Sequence, residues 1–364
     1  MNRYELLGVL SSLSDGGAER AVVRVLNDQA KRKKVALVVL KSDRTILPLI
    51  SPDVVFIDLS RRIIPLFSFF ILLIRSRPQV LFSTFGDINV LMAIVKRLFL
   101  PRSRLVLREP NSLDTKFRKS GLVRRLYPFI YPWADYVVVL SEKHKVSMLS
   151  IVGRSDDSSS VVVVHNAPAY RRPDEGKAKV GGAYFISVGR LVEQKGYDNL
   201  IDAFSKFIND FDDYKLIIVG SGAEKDKLKQ CVKAYGLDAR VILTGALDNP
   251  LGLVLGASAY ILSSRYEGVS NAMLEALMLG VPVLASIENT SADEFVLDGY
   301  NGWCVRSSSP DCLLGGMVRV VNERVEWGRD EISARYSEVY SEERMFESYE
   351  RLFWGACETL LLKE

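Results

Sequence analysis

A chain of 364 residues has room for two domains with full-sized cores, and 48 % apolar with 25 % charged residues is the make-up of an ordinary globular protein. Its four cysteines (Cys231, Cys304, Cys312, Cys357) form no CxxC pair and lie far along the chain from His144 and His165, which argues against a disulfide framework and against structural zinc. The net charge of +4 hides a split: residues 1–180 hold 30 Lys and Arg against 16 Asp and Glu (+14), and residues 181–364 hold 18 against 28 (−10).

The first segment, "MNRYELLGVLSSL", is too short and interrupted for a signal peptide and reads as a strand. A helix is expected from about Ala18 to Ala30, followed by the strands "KVALVVL" and "VVFIDL". The apolar run "IIPLFSFFILLI", residues 63–74, is framed by Arg61, Arg62, Arg75 and Arg77. As a helix it rises about 18 Å, short of the ~30 Å hydrocarbon core, so it cannot span a bilayer. It either packs on a sheet or inserts partly into a membrane surface. The strands "QVLFSTF", "RLVLRE", "YVVVLS" and "SVVVVHN" follow. Runs apolar on both faces, alternating with helical stretches, point to a parallel sheet covered by helices.

The series then restarts. "AYFISVGR" precedes a helix from about Tyr197 to Ile208, "YKLIIVG" precedes one from about Glu224 to Tyr235, and "RVILTG", "AYILSS" and "VPVLAS" complete a second sheet. Between the two lies "APAYRRPDEGKAKVGG", rich in Pro, Gly and charge. The charge reversal falls there too, so the boundary is expected near residues 168–182, with domains at 1–168 and 183–340. A last helix, about Ser341 to Leu362, carries apolar Met345, Tyr349, Leu352, Phe353 and Cys357.

In open α/β sheets ligands gather at the carboxyl ends of strands. After the first strand, Gly16 and Gly17 let backbone amides at a helix mouth approach an anion, although a plain tight turn also explains a glycine there. After "FISV", Arg190 and Lys195 leave a short loop flanked by glycines and could neutralise a diphosphate, or could be solvated cations. "VGSGAEK" fails as a dinucleotide fingerprint because Lys225 stands at the third glycine position. The Asp210-Phe211-Asp212 triplet matches a metal-binding Asp-x-Asp, but it precedes a strand and so lies at the far edge of the sheet, where a solvated turn explains it. "RYEG" turns from the strand "AYILSS" into a helix opened near Asn271 with Ser270 as N-cap. Amides of residues 271–273 and the helix dipole would hold a phosphate there, with Glu267 in the turn beside it and Glu275 just over a turn inside, able to bridge two vicinal hydroxyls.

These residues, "GGAER", "SVGRLVEQKGYDNLIDAF", "IIVGSGAEKDKLK" and "SSRYEGVSNAMLEALMLGVPVLAS", resemble the family 4 glycosyltransferases over about residues 6–355. The most specific element is the Glu267–seven residues–Glu275 spacing. The resemblance implies the GT-B fold, two Rossmann-like domains facing across a cleft, with the segment 341–364 crossing back to the first domain. It implies a retaining hexosyl- or N-acetylhexosaminyltransferase that uses a nucleotide sugar, expected to be a UDP-sugar, with no bound metal or cofactor.

By the same resemblance Arg190 and Lys195 hold the donor diphosphate, Glu275 the ribose, and Glu267 faces the donor sugar. Gly16 and Gly17 close over the phosphates, and Gly189, Gly220, Gly268, Ser270 and Asn271 complete the donor site. Many members carry a histidine near the reacting sugar in the first domain. This chain reads "REPNS" there, so Arg108, Glu109 or Asn111 is expected to face the acceptor instead.

The basic first half, the apolar helix and the tracts "KRLFLPRSR" and "KFRKSGLVRRLYPFIYPW" suggest an anionic membrane surface as partner. Nucleic acid is not expected, since no helix-turn-helix, finger or aromatic RNA-binding pattern accompanies the charge. The expectation is a cytoplasmic enzyme peripheral on the inner membrane, glycosylating a lipid-linked, lipopolysaccharide or capsule acceptor. A transferase with a soluble acceptor and a catalytically silent nucleotide-sugar-binding protein are the competing readings.

Overall fold

Strands that are apolar on both faces need helices on both sides, and two such layered sheets form. The computed structural model describes residues 3–14, 16–41, 43–60, 65–110, 121–152, 160–168 and 180–355. The chain divides into two compact units, Met1–Asn166 with Glu342–Glu364, and Ala167–Ser341.

The first unit is a seven-stranded parallel sheet in the order β3-β2-β1-β4-β5-β6-β7. Its strands are β1 Leu6–Leu10, β2 Val35–Val39, β3 Val55–Asp58, β4 Val80–Thr84, β5 Arg104–Arg108, β6 Tyr136–Val139 and β7 Val161–Val163. Between them run α1 Gly17–Ala30, α2 Pro65–Ser76, α3 Gly86–Phe99, α4 Gly121–Ile130 and α5 Glu142–Val152. The registers β1–β2 and β1–β4 share β1, so the sheet reverses its winding between β1 and β4. That switch point opens a crevice at the strands' carboxyl ends.

The second unit repeats the plan in six strands, ordered β10-β9-β8-β11-β12-β13. They are β8 Tyr184–Val188, β9 Lys215–Val219, β10 Val241–Gly245, β11 Ala259–Leu262, β12 Val283–Ser286 and β13 Gly302–Val305. Its helices are α6 Tyr197–Phe207, α7 Lys225–Ala234, α8 Leu251–Gly256, α9 Asn271–Met278, α10 Pro310–Asn322 and α11 Arg329–Val339. Here the winding reverses between β8 and β11, which pair in parallel through Ala259 with Phe185 and Tyr260 with Ile186.

After α11 the chain returns to the first unit as α12, Glu342–Trp354. Its buried face is Met345, Tyr349, Leu352 and Phe353, each worth about 1.5–3 kcal/mol of apolar burial. The Phe82 ring of β4 meets Tyr349 and Phe353 edge-on at 5.3 and 5.2 Å. Arg104 donates to the Phe353 carbonyl at 3.0 Å and so caps the end of the helix. The Cys357 part of the expected helix lies outside the described residues. Among the described residues no helix is long and apolar enough to cross a membrane.

Candidate active site

Two loops leave the second sheet at its switch point, one after β8 and one after β11. The first runs through Gly189 and Arg190 to a tight turn at Glu193–Lys195, then Gly196 and α6. The second is Ser263–Ser270, ending in α9. Gly196 has φ +64°, and a side chain on it would collide with the Ser263 carbonyl, so only glycine lets the loops pass this closely.

Hydrogen bonds stitch the loops together. The Arg265 amide donates to the Gln194 carbonyl at 2.8 Å, and Gln194 Nε2 returns one to the Tyr266 carbonyl at 2.9 Å. Ser263 Oγ donates to the Lys195 carbonyl at 2.8 Å. Arg265 reaches across with Nη1 to the Glu193 carbonyl at 2.6 Å and Nη2 to Asp198 Oδ2 at 2.8 Å.

This framework sets Lys195 Nζ 2.6 Å from Glu267 Oε1. Glu267 Oε2 accepts from Ser264 Oγ at 2.8 Å, and the Glu267 amide donates to the Asn289 carbonyl at 3.1 Å. A carboxylate and an ammonium are thus held together, half-buried, at the place where α/β sheets receive ligands. Arg190 lies on the same loop with its side chain exposed, and among the described residues it makes no ion pair. The structure therefore brings Lys195 to Glu267 but leaves Arg190 in solvent.

The donor-site candidates of the second unit lie on the loops after β8, β9 and β11 and at the start of α9. Gly189 follows β8. Gly220 follows β9 with φ +148°, and a Cβ there would run into the Gly189 carbonyl, which is how the two loops come to touch. Gly268 and Ser270 are buried. Ser270 caps α9 by accepting from the Met273 amide at 3.4 Å, so one of the amides expected for a phosphate already has a partner. Asn271 opens α9, and Glu275 lies half-buried just over a turn further on. The Asp210 and Asp212 side chains are exposed in the turn before β9, at the opposite edge of the sheet.

In the first unit Gly16 and Gly17 begin α1 at the β1 end of that switch point. The Glu19 carboxylate, 8 % exposed, sits against Gly16 and accepts from Ser14 Oγ at 2.8 Å. The sequence reading missed this carboxylate at the helix mouth, although "GGAER" contains it.

Arg108 and Glu109 point into protein. Arg108 is 1 % exposed and donates to Asn166 Oδ1 at 2.6 Å. Glu109 is 2 % exposed and accepts from Asn89 Nδ2 at 2.7 Å and from the Tyr131 hydroxyl. Burial first, and then the Glu109 charge, push the Tyr131 and Tyr127 hydroxyls well above the ordinary phenol range, so both remain donors. Asn111 lies outside the described residues. Phe85, between β4 and α3 at the same switch point, holds φ +74°, a strained backbone for an aromatic residue and one that no sequence pattern announces.

Residues 171–338 match the model of the family described as glycosyl transferases group 1. The chain is 26 % identical over 304 residues to the amylovoran biosynthesis glycosyltransferase AmsD of Erwinia amylovora, covering 82 % of this chain and 85 % of that protein. It is 25 % identical over 239 residues, 64 % of each chain, to the N-acetylgalactosamine-N,N'-diacetylbacillosaminyl-diphospho-undecaprenol 4-alpha-N-acetylgalactosaminyltransferase of Campylobacter jejuni. Across the first such relatives the chain spans from 48 to 85 % of their length. Among solved structures, Anabaena HepE in complex with UDP-glucose superposes with a TM-score of 0.80 at 18 % identity, covering 96 % of this chain and 99 % of that one. The fold, two Rossmann-like units, is that of the GT-B glycosyltransferases. Topology, motifs and the matched segment agree: residues 171–338 are similar to the family described as glycosyl transferases group 1, on a fold shared with the GT-B glycosyltransferases.

Proposed function

We propose that the chain is an anomer-retaining family 4 transferase that needs no metal and moves a sugar from a nucleotide sugar, a UDP-sugar, to a glycan acceptor carried on lipid, lipopolysaccharide or capsule. The observation that supports this most is the Lys195–Glu267 pair at the switch point of the second sheet. The relatives' names point the same way, since one is an amylovoran biosynthesis glycosyltransferase and one acts on a diphospho-undecaprenol compound.

In this reading a donor diphosphate draws the Lys195 ammonium away from Glu267. Lys195, with Arg190 swinging in from solvent and the amino end of α9, then offsets the charge that builds as the nucleoside diphosphate departs. The acceptor hydroxyl enters on the leaving group's side. Its oxygen bonds to the anomeric carbon, the bond to the diphosphate oxygen breaks, and the hydroxyl proton passes to that phosphate. Glu267 orients the sugar and favours the positive charge on its ring. Glu275 takes the ribose hydroxyls. Gly16 and Gly17 approach the phosphates, and Arg108, Glu109 and Asn111 support the acceptor side. Because Arg108 and Glu109 are buried, they act by shaping the backbone there.

The enzyme would work on the cytoplasmic face of the inner membrane, held by its basic, apolar first unit. Thermal-shift screening against UDP-, GDP- and ADP-sugars tests the donor reading, because a ligand at a hundred times its Kd adds about 2.7 kcal/mol of stability. A shift with UDP-sugars that disappears in Lys195→Ala is expected. No shift with any of the three overturns the reading.

A further inference from the structure

Tyr197 opens α6 two residues after Lys195, close enough to Glu267 for that charge to act on its phenol. The residue is 3 % exposed, and its ring packs into the core of the second unit. Its hydroxyl is buried and makes no hydrogen bond of acceptable geometry among the described residues. Ser187 lies beside it, its Oγ donating to the Ile261 carbonyl at 2.8 Å and keeping lone pairs toward the phenol, yet no hydrogen bond forms between the two. A buried hydroxyl without a partner destabilises a fold, and a phenylalanine would fill the same space without that loss. Such a group in a native structure calls for a use.

Its position supplies one. A Cβ on Gly189 would stand 2.9 Å from the Tyr197 hydroxyl and 3.1 Å from Lys195 Cε, so hydroxyl and lysine flank a single point that glycine keeps open. Burial, which outweighs the opposing effect of Ser187 and is reinforced by the Glu267 charge, keeps this phenol protonated and able to donate. Glu267 itself has one fixed and one exchangeable anchor: Ser264 holds Oε2 at 2.8 Å, while Oε1 depends on the Lys195 ammonium at 2.6 Å. When that ammonium leaves for an anionic ligand, Oε1 is stranded in a half-buried place.

We propose that Tyr197 is a positioning residue, a reserve donor onto which the Glu267 carboxylate turns when Lys195 departs. This deepens the transferase reading by naming what holds Glu267 in its working state.

A stability cycle tests it without any substrate, because Lys195→Met imitates the lysine's departure. In the wild-type background Tyr197→Phe is expected to leave Tm unchanged or slightly raised. In the Lys195→Met background the same change is expected to lower Tm by about 2–4 °C. An equal loss in both backgrounds would mean an ordinary structural bond to Ser187 and overturns the proposal. No loss in either overturns it as well. Should Lys195→Met fail to fold, Lys195→Leu, which also lacks a donor, takes its place.

The second readout is turnover with the donor found by screening: Tyr197→Phe is expected to lower kcat about tenfold with the donor KM within twofold, and an unchanged kcat overturns the proposal. Should wild-type protein neither bind nor turn over any nucleotide sugar, the transferase reading falls, while the stability cycle still decides the role of Tyr197.

Discussion

Lys195 Nζ stands 2.6 Å from Glu267 Oε1, with the two side chains only 13 and 15 % exposed, so the charges neutralise each other before any ligand arrives. In the proposed transferase, a donor diphosphate would have to compete with Glu267 for the lysine. Glu267→Gln keeps the shape and removes the competitor. The variant should bind UDP several-fold more tightly by calorimetry while turning over at least a hundredfold more slowly. Lys195→Ala should lose UDP binding and also about 1–3 kcal/mol of stability, because the carboxylate is left half-buried without its cation. Looser UDP binding by Glu267→Gln would count against the exchange.

Arg265 is the rivet of the two loops, joining the Glu193 carbonyl to Asp198 through one guanidinium. Among the described residues it makes no hydrogen bond or ion pair with Lys195 or Glu267, yet it fixes the backbone that aims both. Arg265→Ala should lower kcat about ten- to a hundredfold and destabilise by about 1.5 kcal/mol, since hydrogen bonds to a charged group are at stake on a partly exposed residue. Arg265→Lys, which keeps the charge but not the fork, should recover stability better than turnover. Steady-state kinetics beside thermal melts separate the two.

Asp198 gives the pH dependence its sign. Burial alone would raise its carboxyl, but the hydrogen bond and charge of Arg265 outweigh that and hold it below the ordinary carboxylate value. A lowered folded pKa contributes stability that is full above the unfolded value, near 3.9, and is lost as pH falls from there through the folded value. Asp198→Asn should thus be less stable than wild type by a constant margin above about pH 5, and the margin should close below about pH 4. Parallel melting curves from pH 2 to 7 would contradict the pairing.

Much of this was readable from residues alone where the signal is local. "AYFISV" and "AYILSS" carry buried strands in their β-branched content, and Ser270 before "NAMLEA" marks a helix start that the structure places at Asn271. Lys195 and Glu267 stand out in the sequence by their positions after strands, and sheet topology, with β8 and β11 adjacent, turns that into contact. What could not be read depends on long-range register. The burial of Glu109 follows from Asn89 and Tyr131, which come from α3 and the turn after α4. The reversal of Arg190 and Arg265 is of the same kind: the cation expected to work is in solvent, and one given no role ties the loops together. The strand β13 was missed because "GWCV" is four residues between turns, too short for a period.

Gly196 offers a test of loop geometry independent of charge. Its φ of +64° and the Ser263 carbonyl at its Cβ position make any side chain strained twice over. Gly196→Ala should cost about 1–3 kcal/mol. It should also break the Ser263–Lys195 link, so turnover should fall further than stability alone predicts when both are measured at 20 °C, below any melting. A fully active Gly196→Ala would show that the loops need not touch.

The first unit carries a surface with two properties that seldom coincide. Phe67 on α2 is 61 % exposed, and Leu98 and Phe99 on α3 are 66 and 50 % exposed. Phe70 meets Phe99 edge-on at 6.0 Å, which makes the two helices one patch. Arg75 on α2, Arg97 on α3 and Arg102 in the turn after α3 are exposed. Apolar side chains that insert and arginines that meet headgroups act together on an anionic bilayer, each basic residue adding about 1 kcal/mol. Vesicles containing anionic lipid should therefore float the protein at low salt, and neutral vesicles should float little of it. Arg97→Gln with Arg102→Gln should weaken binding about thirtyfold, the equivalent of about 2 kcal/mol. Phe67→Ser with Leu98→Ser should weaken it at high salt too, because apolar insertion is not screened. If anionic vesicles at low salt float none of the wild-type protein, the acceptor does not have to be sought on a membrane.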